Sequence, residues 1–217
     1  MEKKLKTAIG VLMAITAMAI SEKIYVFLIY IFAAILHEAG HLLAAKTLKL
    51  KIRQIYFDFS GVRIAVDSNT ASYVSEIILA LAGPIANLSV ATMVYLPLIQ
   101  SSSWEEISAE TELFLSTGSL TLLGASGFFV LSSVIQACIN LMPIKSFDGG
   151  RALYCFLLLK SDMAIAQRTV SLLSAVLAVL LWTVSLYLML KGASGLGRFV
   201  FSSSIFSLML TDSHYKR

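Results

Sequence analysis

The chain has 217 residues, of which 58% are hydrophobic and 14% are charged, and its formal net charge is +4. A sequence this apolar cannot hide its hydrophobic side chains in one soluble core, so the composition excludes an ordinary soluble globular protein and predicts an integral membrane protein. The basic residues form no cluster on a soluble segment. The net charge therefore gives no indication of a nucleic-acid surface.

Six apolar blocks follow one another along the chain, at about residues 7–20, 24–45, 73–100, 113–143, 169–190 and 197–210. The longer blocks exceed the approximately 20 residues that a helix needs to cross the hydrocarbon of a bilayer. We therefore expect an all-α polytopic membrane protein with about six transmembrane helices.

The first block has a second interpretation. Lys3, Lys4 and Lys6 precede a short apolar stretch that ends in Ala17-Met18-Ala19, and this arrangement also resembles a secretory signal peptide with a small-residue cleavage site. Residues 1–20 are thus either a retained helix or a cleaved signal, and in both cases the second helix begins outside and runs inward.

The distribution of Lys and Arg predicts the orientation. With a cytoplasmic N-terminus and six crossings, 14 of the 17 basic residues fall on the inner side. The segment from Ser101 to Glu112, which we expect to be an outer loop, carries four glutamates and no basic residue. The positive-inside rule therefore predicts a multi-pass cell-membrane protein with both termini in the cytoplasm.

The segment Leu50–Asn69, between the second and third blocks, has a different pattern. Its runs Ile52–Phe59 and Val62–Val66 are rich in β-branched and aromatic residues, and Ser60-Gly61 separates them. This pattern predicts a small membrane-associated β-hairpin between helices 2 and 3. The hairpin is either a plain interfacial element or a strand edge that pairs with an extended peptide.

Two of the three histidines lie in the sequence His37-Glu38-Ala39-Gly40-His41, inside the second apolar block. Histidines four positions apart project from one face of a helix, so both imidazoles can reach one zinc ion, while Glu38 can act on its water. Counted from Lys46, the pair lies roughly 8 to 14 Å below the cytoplasmic interface. A polar pair that only bonds neighbouring helices is the alternative.

A catalytic zinc site needs a third protein ligand. His214 lies in a polar tail and suits the role poorly, whereas Asp148 follows Pro143 at the inner end of the fourth block and offers a carboxylate oxygen. Taken alone, the sequence Asp-Gly-Gly is more often a simple turn. We predict that its glycine pair lets the backbone turn sharply beside the carboxylate.

Asn87 and Asn140 are amides in apolar segments, close to Pro84 and Pro143 respectively. An amide there can bond the carbonyl that a proline leaves free, which would be a purely structural role. A role in holding substrate or stabilising an oxyanion is the functional alternative.

These motifs occur in an order that resembles the site-2 protease family of intramembrane zinc metalloproteases, peptidase M50. The resemblance rests on His37-Glu38-Ala39-Gly40-His41, on the run from Gly83-Pro84 to Asn87, and on Asn140 and Pro143 followed by Asp148-Gly149-Gly150. It implies one zinc ion per chain with ligands His37, His41 and Asp148. It also implies that Glu38 is the catalytic acid/base and that Asn87 and Asn140 approach the active site.

Within that family the chain most resembles the branch of the stage IV sporulation protein FB protease. Members of that branch commonly carry a CBS domain and other site-2 proteases carry PDZ domains, and we expect neither here. Residues 1–217 are then one integral-membrane metalloprotease domain with a catalytic core at about 24–151. The run Ile-Lys-Ser-Phe before Asp148 departs from the second proline-rich turn that the family leads us to expect.

The expected function is hydrolysis of a peptide bond in or near the transmembrane segment of a membrane-tethered protein. By resemblance to the branch, this would be regulated proteolysis of a transcription regulator. The expected partners are that substrate and the lipid bilayer, with no nucleic acid. A divalent-metal transporter and a catalytically silent membrane chaperone are the alternatives.

Overall fold

The structure, a computed structural model, describes residues 24–50, 52–58, 61–66 and 72–190. The first and last apolar blocks, residues 7–20 and 197–210, lie outside the described residues. So do His214 and the segment that resembles a signal peptide.

Six helices occur in the described part of the chain. They are α1 (Ile24–Thr47), α2 (Tyr73–Ser101), α3 (Trp104–Thr117), α4 (Leu122–Leu141), α5 (Asp148–Leu158) and α6 (Met163–Leu190). Four of them, α1, α2, α4 and α6, are long and apolar enough to cross a membrane. The described residues therefore contain four candidate spans, where about six were predicted for the chain, and the first and last predicted spans lie outside the described residues. The other two helices, α3 and α5, have 14 and 11 residues and are too short to cross.

The predicted outer loop and the predicted fourth span were also wrong in their bounds. Most of the segment between Ser101 and Glu112 is helical, since α3 begins at Trp104. Ser103 caps this helix: its hydroxyl accepts from the Glu106 N–H, while the Glu106 carboxylate accepts from the Ser103 N–H. Gly118, with φ of 75°, ends it in a left-handed conformation. The apolar pattern across residues 113–143 concealed this break.

Two strands lie between α1 and α2. β1 (Ile52–Asp58) pairs antiparallel with β2 (Gly61–Val66), with Ile55 opposite Ile64, and the register shifts between Ile52 and Gln54. Apart from this two-stranded sheet, the regular structure of the described residues is helical.

The chain divides into two compact units. The first contains α1, the two strands, α2 from Ala82 onward, α3, and α4 up to Ile139. The second contains α2 up to Leu81, the end of α4 from Asn140, α5 and α6. The boundary between the units thus falls inside two continuous helices.

Small residues bring α1 and α2 together in the first unit. A Cβ atom added to Gly40 would lie 2.6 Å from both the Ala82 carbonyl oxygen and the Ala86 Cβ. Such close backbone approach is typical of helix packing in membranes, where small residues let dispersion contacts and polar contacts form. Any larger residue at position 40 would push the two helices apart.

In the second unit, α5 packs on α6 through a small apolar cluster. Tyr154 and Cys155 contact Ala166 and Val170. Farther along α6, Ala178 packs against Ile144 in the loop before α5, and both side chains are fully buried. This loop is therefore anchored to α6 by apolar packing.

The outward faces of the spanning helices remain apolar. Leu43 on α1 is 65% exposed and Leu172 on α6 is 67% exposed, and many other large apolar residues share this property. Apolar surface of this extent is costly in water but fits lipid chains. The protein is therefore a membrane protein by its surface as well as by its helix lengths.

Candidate metal centre

The two histidines of α1 face each other at a distance that suits one ion. Their Nε2 atoms are 3.2 Å apart and their ring planes are almost perpendicular, at 79°. Both side chains are buried, with 5% exposure for His37 and 7% for His41. The spacing of four residues therefore places both imidazoles on one face of the helix, as predicted.

The separation of the two nitrogens allows a test of fit to zinc. Zinc binds imidazole nitrogen at about 2.0–2.1 Å with tetrahedral geometry, so two such ligands on one ion lie about 3.3 Å apart. The observed 3.2 Å between the Nε2 atoms of His37 and His41 agrees with this value. The pair is thus arranged as two ligands of a tetrahedral ion.

Gly83 on α2 makes room for both rings. A Cβ atom at this position would clash with Nε2 of His41 and would lie 2.6 Å from Nε2 of His37. Gly83 therefore lies directly against the two Nε2 atoms. Its backbone is ordinary helix, so this position requires a glycine for the space it leaves and not for its conformational freedom. Sequence reasoning noted Gly83 only within a family motif and missed this contact.

Asp148 begins α5. It is the first residue of the helix, and Phe147 at the N-cap provides no side-chain cap. The positive end of the helix dipole favours a negative carboxylate at this position. An ionised carboxylate is the form that binds a metal ion, so the helix start supports the predicted ligand role.

The loop before Asp148 is held by a serine on α6. The Ser174 hydroxyl accepts from the Lys145 N–H at 2.8 Å and donates to the Val170 carbonyl at 2.7 Å. Ser174 is fully buried. Because the hydroxyl satisfies a backbone donor of the loop, it fixes the entry of the chain into α5, a role that the sequence did not reveal.

The glycine pair after Asp148 has a different purpose from the one we predicted. Gly149 and Gly150 lie in the first turn of α5 and do not make a sharp turn. A Cβ atom on Gly149 would lie 2.7 Å from the Met142 carbonyl oxygen, and one on Gly150 would lie 2.9 Å from the Lys145 amide nitrogen. The glycines therefore let the preceding loop pass close to the helix, which again fixes the position of Asp148.

The three metal ligands predicted from the sequence belong to different units: His37 and His41 lie in the first unit and Asp148 lies in the second. Each offers one atom that can bind a metal ion. Two nitrogens and one carboxylate oxygen are a donor set that zinc accepts in catalytic sites, where a fourth position stays open.

Glu38 and Asn140 were also predicted from the sequence. Glu38 is half-buried on α1, directly beside His37 in the chain. Asn140 is half-buried in the last turn of α4, which ends at Leu141, two residues before Pro143. The prediction that a helix ends before Pro143 is confirmed.

Asn87 is fully buried on α2. Its amide nitrogen donates to Oε1 of Gln136 at 3.4 Å, so it bonds a side chain of another helix and not the carbonyl that Pro84 would free. Gln136 on α4 is itself buried and donates to the Tyr30 carbonyl at 3.0 Å. Sequence reasoning missed Gln136, although a glutamine inside an apolar span was a usable signal, because polar groups at membrane depth need partners.

An ion pair and a thiol lie beyond Asp148 in the second unit. Arg151, one turn after Asp148, donates through Nε to the Glu76 carboxylate at 2.9 Å, and a second guanidinium nitrogen also contacts that oxygen. Burial raises the pKa of the Cys155 thiol to about 11; the negative charge of Glu76 adds to this rise and Arg151 opposes it. Cys155 is therefore a protonated apolar residue and no thiolate ligand.

The sequence and the fold were compared with known proteins. A model of peptidase family M50 matches residues 24–184. This chain belongs to peptidase family M50. No protein with a curated description matches it significantly.

A solved structure gives independent support for the fold. The structure titled Site-2 Protease from Methanocaldococcus jannaschii has a TM-score of 0.66 and 18% identity, and the match covers 98% of this chain and 90% of that chain. At this identity the likeness shows the fold alone. The family and the fold agree with the resemblance seen in the motifs, while the sporulation branch stays a prediction.

Proposed function

We propose that this M50 peptidase is a zinc endopeptidase that cuts membrane-tethered proteins within the bilayer. The observation that carries the proposal is the 3.2 Å separation of the His37 and His41 Nε2 atoms on a membrane-spanning helix. Membership of peptidase family M50 supports peptide bonds as the substrate class.

His37, His41 and Asp148 would hold the ion, one per chain. When bound there, zinc supplies a Lewis acid that polarises a carbonyl and lowers the pKa of water. The two histidines bind it through neutral imidazole nitrogens. Asp148 contributes negative charge that offsets part of the positive charge of the ion.

Glu38 would move the proton. It follows His37 directly in α1, so its carboxylate stays beside the ligand face without being one of the three ligands. In this role the carboxylate takes a proton from the attacking water and passes it to the leaving amine nitrogen. The same carboxylate accepts the proton and then donates it, so one glutamate is enough.

The depth of the histidines predicts where substrates are cut. α1 ends at Thr47, with Lys46 in its last turn, so the ligands lie roughly 8 to 14 Å from that end of the helix. With the orientation proposed from the basic residues, the scissile bond lies in the cytoplasmic half of the substrate span. A transcription regulator tethered to the membrane is the substrate class that the sporulation branch suggests.

The test separates proton transfer from metal binding. Glu38→Gln should keep one zinc per chain and lose about two to four orders of magnitude in cleavage of a membrane-tethered reporter. His37→Ala should lose zinc as well as activity. Glu112→Gln is the matched control, since Glu112 is exposed on α3, and it should cleave at the wild-type rate. Near-normal turnover in Glu38→Gln would refute the assignment.

Reconstitution distinguishes this function from its alternatives. Proteoliposomes that contain the protein and a tethered reporter should show products of cleavage and no zinc flux. Zinc flux without cleavage would indicate a transporter, and neither signal would indicate a silent chaperone. Mass spectrometry of the products then locates the cut, and a cut near the outer face would contradict the proposed orientation.

A further inference from the structure

A chain of buried amides connects three spanning helices in the first unit. Gln136 on α4 donates through Nε2 to the Tyr30 carbonyl on α1, at 3.0 Å, and accepts through Oε1 from Asn87 Nδ2 on α2, at 3.4 Å. Asn87 is completely buried and Gln136 is 6% exposed. Water therefore does not compete for these bonds.

The Tyr30 carbonyl determines how the amide groups of Gln136 and Asn87 are oriented. An amide group can be turned over with little change in shape, so its direction must come from its partners. A backbone carbonyl can only accept, so Gln136 must direct its NH₂ group to Tyr30 and its oxygen to Asn87. Asn87 must then direct its own NH₂ group to Gln136.

With the two amides in this orientation, one of their acceptor atoms remains unused. Oδ1 of Asn87 is buried and has no hydrogen-bond partner among the residues that the structure describes. A buried acceptor without a donor is unfavourable, and such atoms in native proteins call for an explanation. A donor that arrives with a bound molecule would satisfy it.

The acceptor lies close to the candidate metal centre. Asn87 follows Gly83 by four residues on α2, so the two share a face of the helix and are separated by about 6 Å along it. Gly83 itself lies against the Nε2 atoms of both histidines. A peptide that reaches the histidines can therefore pass within one helical turn of Asn87.

We propose that Gln136 is a positioning residue that holds Asn87 so that Oδ1 accepts a hydrogen bond from a backbone N–H of the substrate. The inference rests on the proposed function and assigns the polarity of the contact. An unwound peptide inside the bilayer carries N–H donors that water does not satisfy, and Oδ1 matches them. Oδ1 can only accept, so this contact serves substrate binding and not oxyanion stabilisation.

Ester substrates test this contact one atom at a time. Replacing a peptide bond beside the scissile bond by an ester removes a single N–H. In the wild-type enzyme, an ester at one such position should raise KM about tenfold, with kcat changed less. In Asn87→Ala that penalty should fall to within about twofold, because the acceptor is gone.

Gln136→Met tests the positioning role, since methionine has similar length and no amide. The ester penalty should fall there too, although Asn87 is intact. Ser133→Ala is the matched control: Ser133 is buried on α4, one turn before Gln136, and takes no part in the amide chain. It should keep the tenfold penalty, so lowered stability alone cannot produce the result.

The outcomes separate this inference from the proposed function. Absence of cleavage by the wild-type enzyme would count against the peptidase itself. Cleavage with no penalised position, or a penalty that persists in Asn87→Ala, would overturn the acceptor role. A full penalty in folded Gln136→Met would overturn the positioning role, and if that variant does not fold, Gln136→Leu serves the same comparison.

Discussion

Gly83→Ala should separate metal binding from folding. The added Cβ atom would lie 2.6 Å from Nε2 of His37, whereas ordinary contacts begin at 3.4 Å, so that ring must retreat by 0.8 Å or more. Ligand distances in metal sites tolerate only about 0.2 Å. We expect zinc affinity to fall at least about 100-fold, which corresponds to about 2.7 kcal/mol.

The assay is competition against a zinc chelator, with zinc content by elemental analysis and circular dichroism to verify folding. Gly124→Ala is the matched control. A Cβ atom there would lie 2.9 Å from Oγ1 of Thr121 and 3.1 Å from Cβ of Phe114, away from the histidines. It should cost about 1–3 kcal/mol of stability through overpacking and leave zinc affinity within about twofold. A folded Gly83→Ala protein with wild-type zinc affinity would refute the reasoning.

Three further results are expected. Arg151→Leu should lower the free energy of unfolding by about 1–2 kcal/mol, since the ion pair is only partly exposed, and the charge swap Glu76→Arg with Arg151→Glu should regain part of that loss in thermal denaturation. Ser174→Ala should weaken zinc binding about tenfold by freeing the loop before α5, and unchanged affinity by chelator competition would contradict that role. At pH 8, in a Cys138→Ser background, a maleimide should label Cys155 far more slowly than it labels free cysteine in solution, because a thiol with a pKa of about 11 stays protonated; equal rates would show that the site is open.

The histidine pair could be predicted because its geometry is local. Four residues along one helix place His37 and His41 on the same face whatever surrounds them, and the structure adds only the 3.2 Å between the nitrogens. The same holds for the end of α4 before Pro143, which follows from proline stereochemistry. Local rules therefore predicted the placement of the two histidines and one helix end.

The number of spans was harder to predict, because hydropathy does not detect the residues that cap a helix. Ser103 and Gly118 delimit α3 through two hydrogen bonds and one left-handed residue. The polar interruption around Gly118, residues 116–119, is only four residues long, so composition alone joined the end of α3 to α4 in one block. The sequence could have predicted α3 only if Ser103 and Glu106 had been identified as a capping box.

The supporting residues could not be predicted, because their roles depend on contacts between distant segments. Gln136 and Asn87 are hydrogen-bonded although they are 49 positions apart in the sequence. The hydrogen bond between Ser174 and Lys145 joins residues 29 positions apart. A glutamine inside an apolar span indicates that Gln136 needs a partner, but nothing in the sequence near Gln136 or Ser174 identifies which residue that partner is.

The two proposed histidine ligands and the proposed aspartate ligand are held in place by different parts of the structure. His37 and His41 are fixed by a 24-residue helix, whereas Asp148 stands at the start of an 11-residue helix whose position depends on the loop that Ser174 anchors. Weakening that anchor changes the third ligand while the histidine pair persists. Zinc should then be held by two nitrogens alone, with lower affinity. A fall in zinc affinity in Ser174→Ala, where the surroundings of both histidines are unchanged, would therefore report a displaced loop before Asp148.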